Sequence, residues 1–116
     1  MYSALGSTRL LRLLTEECID ERVRLLFPGH DCQTARFAEF TGLTNGQLLD
    51  AAEAAEFEVL VTVGQGIPEQ QNMAGRRISV LILRAPTNRL RDLEAIVPAG
   101  LSALQAIQPQ AIVRTP

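Results

Sequence analysis

Phe57-Glu58-Val59-Leu60-Val61-Thr62-Val63 is the stretch that decides the fold. Apolar and β-branched residues follow one another almost without a break. That pattern belongs to a strand buried on both faces, as in the centre of a parallel sheet. The run leads straight into Gly64-Gln65-Gly66-Ile67-Pro68-Glu69-Gln70-Gln71-Asn72. In open α/β sheets, ligands bind just beyond such C-terminal strand ends. The residue that follows Val63 is therefore informative, and it is Gly64, which has no side chain.

Working outward, the rest of the chain alternates between short apolar runs and helical periodicity. Leu10 to Thr15 reads as a strand. Ile19 to Phe27 reads as a helix, with Ile19, Val23, Leu26 and Phe27 on one face, Asp20 and Glu21 in its first turn, and Pro28-Gly29 ending it. His30 to Ala35 is a second short strand, and Arg36 to Leu43 a loop. Thr44-Asn45-Gly46-Gln47 has the form of a capping box opening a helix to about Glu56, with Leu48, Leu49, Ala52 and Ala55 as its apolar stripe. Pro68 to Met73 fits one or two helical turns, broken by Gly75, before a buried strand at Arg77 to Leu83. Thr87 or Asn88 is placed to cap a last helix over Arg89 to Ile107, which Pro98 should kink or split. Ala111 to Arg114 reads as an edge strand.

This order predicts one three-layer α/β/α domain with a mostly parallel sheet of four or five strands, over residues 9–116, after a flexible lead-in at residues 1–8. A chain of 116 residues with 47% hydrophobic and 21% charged residues suits a single core. Aromatics are only 4%, so that core must be aliphatic. There is no Lys, and the net charge is -2, which excludes a strongly basic surface, although Arg76, Arg77, Arg84, Arg89 and Arg91 lie close in sequence. Nothing approaches a membrane span, and the N-terminus lacks the pattern of a secretory signal. Cys18 and Cys32 are expected to be buried free thiols, which with the rest predicts a cytoplasmic protein.

Three groups carry possible chemistry. Glu16, Glu17 and Asp20 follow the first strand, where carboxylates suit Mg²⁺ or Mn²⁺ and could activate water; helix-start charge is the plainer reading. Gly64-Gln65-Gly66 would let backbone N–H groups approach a phosphate of a nucleotide, but Glu69 stands where a dinucleotide fingerprint needs its third glycine. Asn45, Gln65, Asn72 and Arg76, with Gln70, Gln71 and Arg77 beside them, are amides and guanidinium groups suited to phosphate or RNA, or simply to solvation and capping. His30 stands at the N-terminal end of its strand, away from these groups, and is a poor candidate base.

Leu13-Leu14-Thr15-Glu16-Glu17-Cys18, Gly29-His30-Asp31, Asn45-Gly46-Gln47-Leu48-Leu49, Val59-Leu60-Val61-Thr62 and Gln70-Gln71-Asn72-Met73-Ala74-Gly75 occur in this order. Together they resemble the small toxin-type PIN-like domains, closely from Leu10 to Leu83 and loosely beyond. The resemblance implies a Mg²⁺- or Mn²⁺-dependent ribonuclease that pairs with an antitoxin. It places the first-strand acid on Glu16, with Glu17 beside it, making these the catalytic candidates, and Glu16, Glu17 and Asp20 the metal candidates. The acid near the second helix start falls on Gln47, and the acid after the Val-Thr strand end falls on Gly64. Two expected ligands are thus replaced, so any Mg²⁺ or Mn²⁺ should be held weakly and hydrolysis should be weakened or lost. The alternative is a non-catalytic module of the same fold that binds an antitoxin-like protein or RNA, or pairs with itself as a dimer.

Overall fold

Among the described residues, five short strands form the centre of the fold, where the sequence places its apolar runs. The structure, a computed structural model, describes residues 9–63 and 73–115. Strand β1 spans Arg12–Thr15, β2 Asp31–Thr34, β3 Val59–Thr62, β4 Ser79–Ile82 and β5 Ile112–Arg114. A 3₁₀ helix at Glu21–Leu26 joins β1 to β2, α1 at Asn45–Ala54 joins β2 to β3, and α2 at Leu90–Leu104 joins β4 to β5. All strand pairs are parallel, in the order β2-β1-β3-β4-β5. Every residue of β3 and β4 is buried, as a strand covered on both faces requires.

Alternating side chains divide the core into two layers. Leu13, Val59, Val61, Leu81 and Leu83 pack with Ile19, Val23 and Phe27 and with Leu93, Val97 and Leu104 of α2. Leu14, Leu60, Val80 and Ile82 pack with Leu48, Leu49 and Ala52 of α1 and with Phe57. One sheet thus lies between α1 on one face and α2 with the 3₁₀ helix on the other, the α/β arrangement expected from the element order. Phe27 is the only aromatic ring of the first layer's buried set, so its packing is aliphatic, as the composition required.

Several local expectations are corrected. The first helix is a six-residue 3₁₀ segment and starts later than Ile19. Asp20 caps it, accepting a bond from the Arg22 backbone N–H, and the Val23 N–H donates to Asp20 O at 2.9 Å, the tight spacing of a 3₁₀ turn. Ile19, Val23 and Phe27 are nevertheless buried, so the face was correctly placed. Pro98 does not split the last helix: α2 is one element of 15 residues. Pro98 and Glu94 are both exposed, so water can satisfy the Glu94 carbonyl, which loses its helical donor because Pro98 has no N–H. That helix is capped by Arg89 without a side-chain bond; Thr87 instead accepts from the Arg89 N–H and donates to Asp92. The Thr44 capping box is present with both of its reciprocal bonds. The expected turns at Pro68 to Met73 lie outside the described residues, apart from Met73, which is not helical.

Where α2 crosses the sheet, the contact is close. A Cβ added at Gly100 would stand 3.1 Å from Leu83 Cδ2 and 3.6 Å from Leu81 Cδ2. Gly100→Leu should therefore overpack this layer and lower stability by about 1–3 kcal/mol, measured by urea denaturation.

Candidate functional site

The chain leaves β1 for β2 on one side and then crosses to β3 on the other, so the strand order reverses between β1 and β3. Crevices beyond the carboxyl ends of strands at such a reversal are where open α/β sheets bind ligands. Here those ends are Thr15 and Thr62. The backbone pairing runs one residue past β1, with the Glu16 N–H donating to Val61 O at 3.0 Å. This holds the Glu16 side chain over the end of β3, where its Oε1 accepts a hydrogen bond from Thr62 Oγ1. Thr62 is fully buried. Glu16 Oε1 also accepts from Cys18 Sγ at 3.3 Å.

The loops around this carboxylate are tied together. Glu17 Oε1 accepts from the Gly42 N–H at 2.9 Å, which joins the loop after β1 to the loop after β2. Gly42 has φ +80, a left-handed conformation that glycine adopts without cost. The Asn88 side-chain amide donates to Cys18 O at 3.1 Å, bringing in the loop after β4.

The three expected carboxylates do not converge. Glu16 is directed to Thr62, Glu17 to Gly42, and Asp20 to Arg22, whose guanidinium it meets at 2.7 and 3.0 Å. The Arg22 side chain, then its backbone N–H, holds the Asp20 carboxyl down at about 2. Gln47 is occupied in the capping box, its Oε1 accepting from the Thr44 N–H at 3.0 Å. Among the described residues, no group of three or more His, Cys, Asp or Glu side chains is placed to hold a metal ion. The described donors therefore do not fit a divalent-ion site of the kind the sequence resemblance implies.

Cys18 is exposed rather than buried, a correction to the expectation, while Cys32 is half-buried; both are free thiols. Partial desolvation, then the Glu16 carboxylate, raises the Cys18 thiol to about 11. It stays protonated near neutral pH and donates to Glu16, so it is not an activated nucleophile.

The phosphate-binding candidates are dispersed. Asn45 is the first residue of α1, on the side of the sheet where β2 ends. Gln65 and Asn72 lie outside the described residues. Arg76 is at the other end of the sheet, ahead of β4, bonded to Asp50 at 2.8 Å and Glu53 at 3.2 Å. Glu53 also accepts from the backbone N–H groups of Arg77 and Ile78. Burial alone would raise the Glu53 carboxyl, but these backbone bonds and Arg76 together hold it below its usual value. A groove of about 390 Å³ opens at this same end, beside Arg9, Glu53, Glu58 and Arg77. Two of its polar groups serve the fold: Arg9 donates to the Leu104 carbonyl at the end of α2 and to the Ile107 carbonyl beyond it, and Glu58 accepts from the Arg12 N–H.

Thr62 and Asn88 are site residues that sequence reasoning did not assign. Thr62 had a visible signal, the single hydroxyl in β3, at its last position. Asn88 had none beyond its capping chemistry.

Comparison with protein-family models, with curated proteins and with solved structures gave no match. Among the described residues no helix is long and apolar enough to cross a membrane.

His30 has a structural role at the N-terminal end of the sheet. Its Nδ1 accepts from the Leu11 N–H at 3.1 Å, which requires the neutral ring with the proton on Nε2. Burial, then the Arg9 charge, lowers its pKa from 6.5. The stabilising contribution is complete above 6.5, the value in the unfolded chain, and is lost as pH falls through the lowered folded value. NMR titration should give a His30 midpoint below 6.5, and the stability difference between wild type and His30→Ala should shrink across that pH range.

Proposed function

We propose that this chain is a PIN-like domain that has lost metal-dependent phosphodiester hydrolysis and acts as a binding module for a protein partner, of the antitoxin type that the sequence resemblance implies. The observation that carries the reading is the separate engagement of Glu16, Glu17 and Asp20, each with a different partner. A Mg²⁺ ion demands near-ideal octahedral oxygen geometry at about 2.0–2.1 Å. Recruiting these side chains to one ion would break the cap of the 3₁₀ helix and the bond between the loops after β1 and β2. The position of the expected helix-start acid is held by Gln47, which is neutral and engaged in capping.

A protein is favoured over RNA as partner by the charge arrangement. The net charge is -2, and Arg76 is neutralised by two carboxylates at the far end of the sheet. No basic stripe is thereby assembled from the described candidates, whereas nucleic-acid binding draws most of its affinity from such a surface.

The second reading, a residual ribonuclease, is favoured by one observation: Glu16 stands at the strand-order reversal, held in place by a buried hydroxyl. The two readings separate in a calorimetric titration of Mn²⁺ into wild type and Glu16→Ala, with the same samples in an RNA cleavage assay. The proposal expects no saturable binding and no cleavage in either protein. Saturable binding lost in Glu16→Ala, together with Mn²⁺-dependent cleavage, would establish the nuclease instead.

A further inference from the structure

Among the described residues, strand β2 is an edge of the sheet, with β1 on one side and no strand on the other. Its Asp31 N–H donates to Leu11 O at 3.0 Å, and the Ala35 N–H just beyond it donates to Thr15 O at 2.9 Å. Peptide groups alternate in direction along a strand, so Gln33 faces β1 as well, while the Cys32 and Thr34 peptide groups face away from it, Cys32 half-buried and Thr34 buried under the turn that follows. Thr34 O is taken by the Ala38 N–H at 3.0 Å. The Cys32 N–H and C=O remain at the edge as a short template for another strand.

A groove of about 380 Å³ runs along this edge, lined by Cys32, Gln33 and Thr34, by Glu21 and Arg24 of the 3₁₀ helix, and by Arg36 and Phe37 beyond β2. Its walls suggest what fits. Among the described residues Arg24 has no carboxylate within ion-pair distance, and Arg36 has only Glu21 at 4.0 Å, with both side chains mostly exposed. Such an exposed pair contributes little and is easily exchanged. Phe37 is 75% exposed, and Leu25 of the 3₁₀ helix is 64% exposed. A backbone donor and acceptor at the edge, unmatched guanidinium charge beside them and an uncovered ring at the end form the elements of strand-addition recognition.

We propose that β2 is a docking edge for an extended acidic segment of a partner protein, which pairs with Cys32 as a sixth strand. Its carboxylates meet Arg24 and Arg36, where the planar guanidinium can take both oxygens. An apolar side chain of the segment covers Phe37. This names the chemistry of the proposed protein partner; it rests on the claim of a protein ligand and is independent of whether Glu16 binds a cation.

A displayed library of random decapeptides, panned on the full chain, tests this. The enriched peptides should be rich in Asp and Glu alternating with apolar residues. Arg24→Glu combined with Arg36→Glu should weaken them about tenfold or more, since both sites are exposed and the charge is reversed. Cys32→Pro should do the same by removing an outward donor, and it leaves the bonds to β1 intact. The charge-reversal pair keeps the test decisive should the proline variant fail to fold. In hydrogen exchange, the Cys32 amide should be fast in the free protein and slow about tenfold with peptide bound, while Gln33 stays protected throughout.

Enriched peptides that ignore both variants would overturn the edge as the docking site and leave the protein-binding reading standing. Failure to enrich any peptide would overturn the proposal. A dimer in sedimentation that is lost in the same variants would overturn it in favour of a second copy of the chain. Oligonucleotide binding that depends on Arg24 and Arg36 would overturn both the docking proposal and the protein reading.

Discussion

The parallel pairing of β1 with β3 is the constraint on which the rest of this structure depends. Both strands are short, and both bury residues toward α1 and toward α2 with its 3₁₀ neighbour. β2 joins the free side of β1, and β4 and β5 continue from β3. The strand order therefore reverses at the middle of the sheet. The same pairing, extended by one residue, delivers Glu16 to Thr62. The candidate site is thus a consequence of the core and needs no separate organising element.

A second consequence concerns charge. In the loops beyond the sheet, the acidic side chains of the 16–20 segment each serve a different local contact. Glu16 accepts from a buried hydroxyl, Glu17 fastens a neighbouring loop, and Asp20 caps a 3₁₀ turn. Buried or half-buried polar groups cost free energy when unpaired, which favours such engagement. A metal site needs carboxylates held close to each other and kept from other partners. Satisfying the loops and assembling an ion site are competing demands on the same three residues, and in this chain the loops are satisfied. At the opposite end, Glu53 shows the same principle: its carboxylate anchors the start of β4 to the end of α1.

Much of this architecture was legible in the amino-acid order. The nearly continuous, β-branched-rich runs at 57–63 and 77–83 read as doubly covered strands, and the capping box at Thr44 marked the start of α1. The edge position of β5 also followed from its lateness and brevity. Other features were not legible. Periodicity places Ile19, Val23 and Phe27 on one face, but it does not distinguish an α-helix from a 3₁₀ segment when Asp20 and Pro28 leave so little room. Spacing put three carboxylates within five residues, yet nothing in spacing tells where each side chain turns; that is decided by donors far away in sequence, Gly42 and Thr62. The pairing of Asn88 with the Cys18 carbonyl spans 70 residues and leaves no local signature.

The Glu16 carboxylate and the Thr62 hydroxyl couple β1 to β3 at the reversal point. A double-mutant cycle of Glu16→Ala and Thr62→Val, followed by urea unfolding, measures that coupling directly. A favourable interaction of about 1.5–3 kcal/mol is expected, the range for a hydrogen bond to a charged group. Strict additivity of the two substitutions would contradict it and leave Glu16 as an ordinary surface carboxylate.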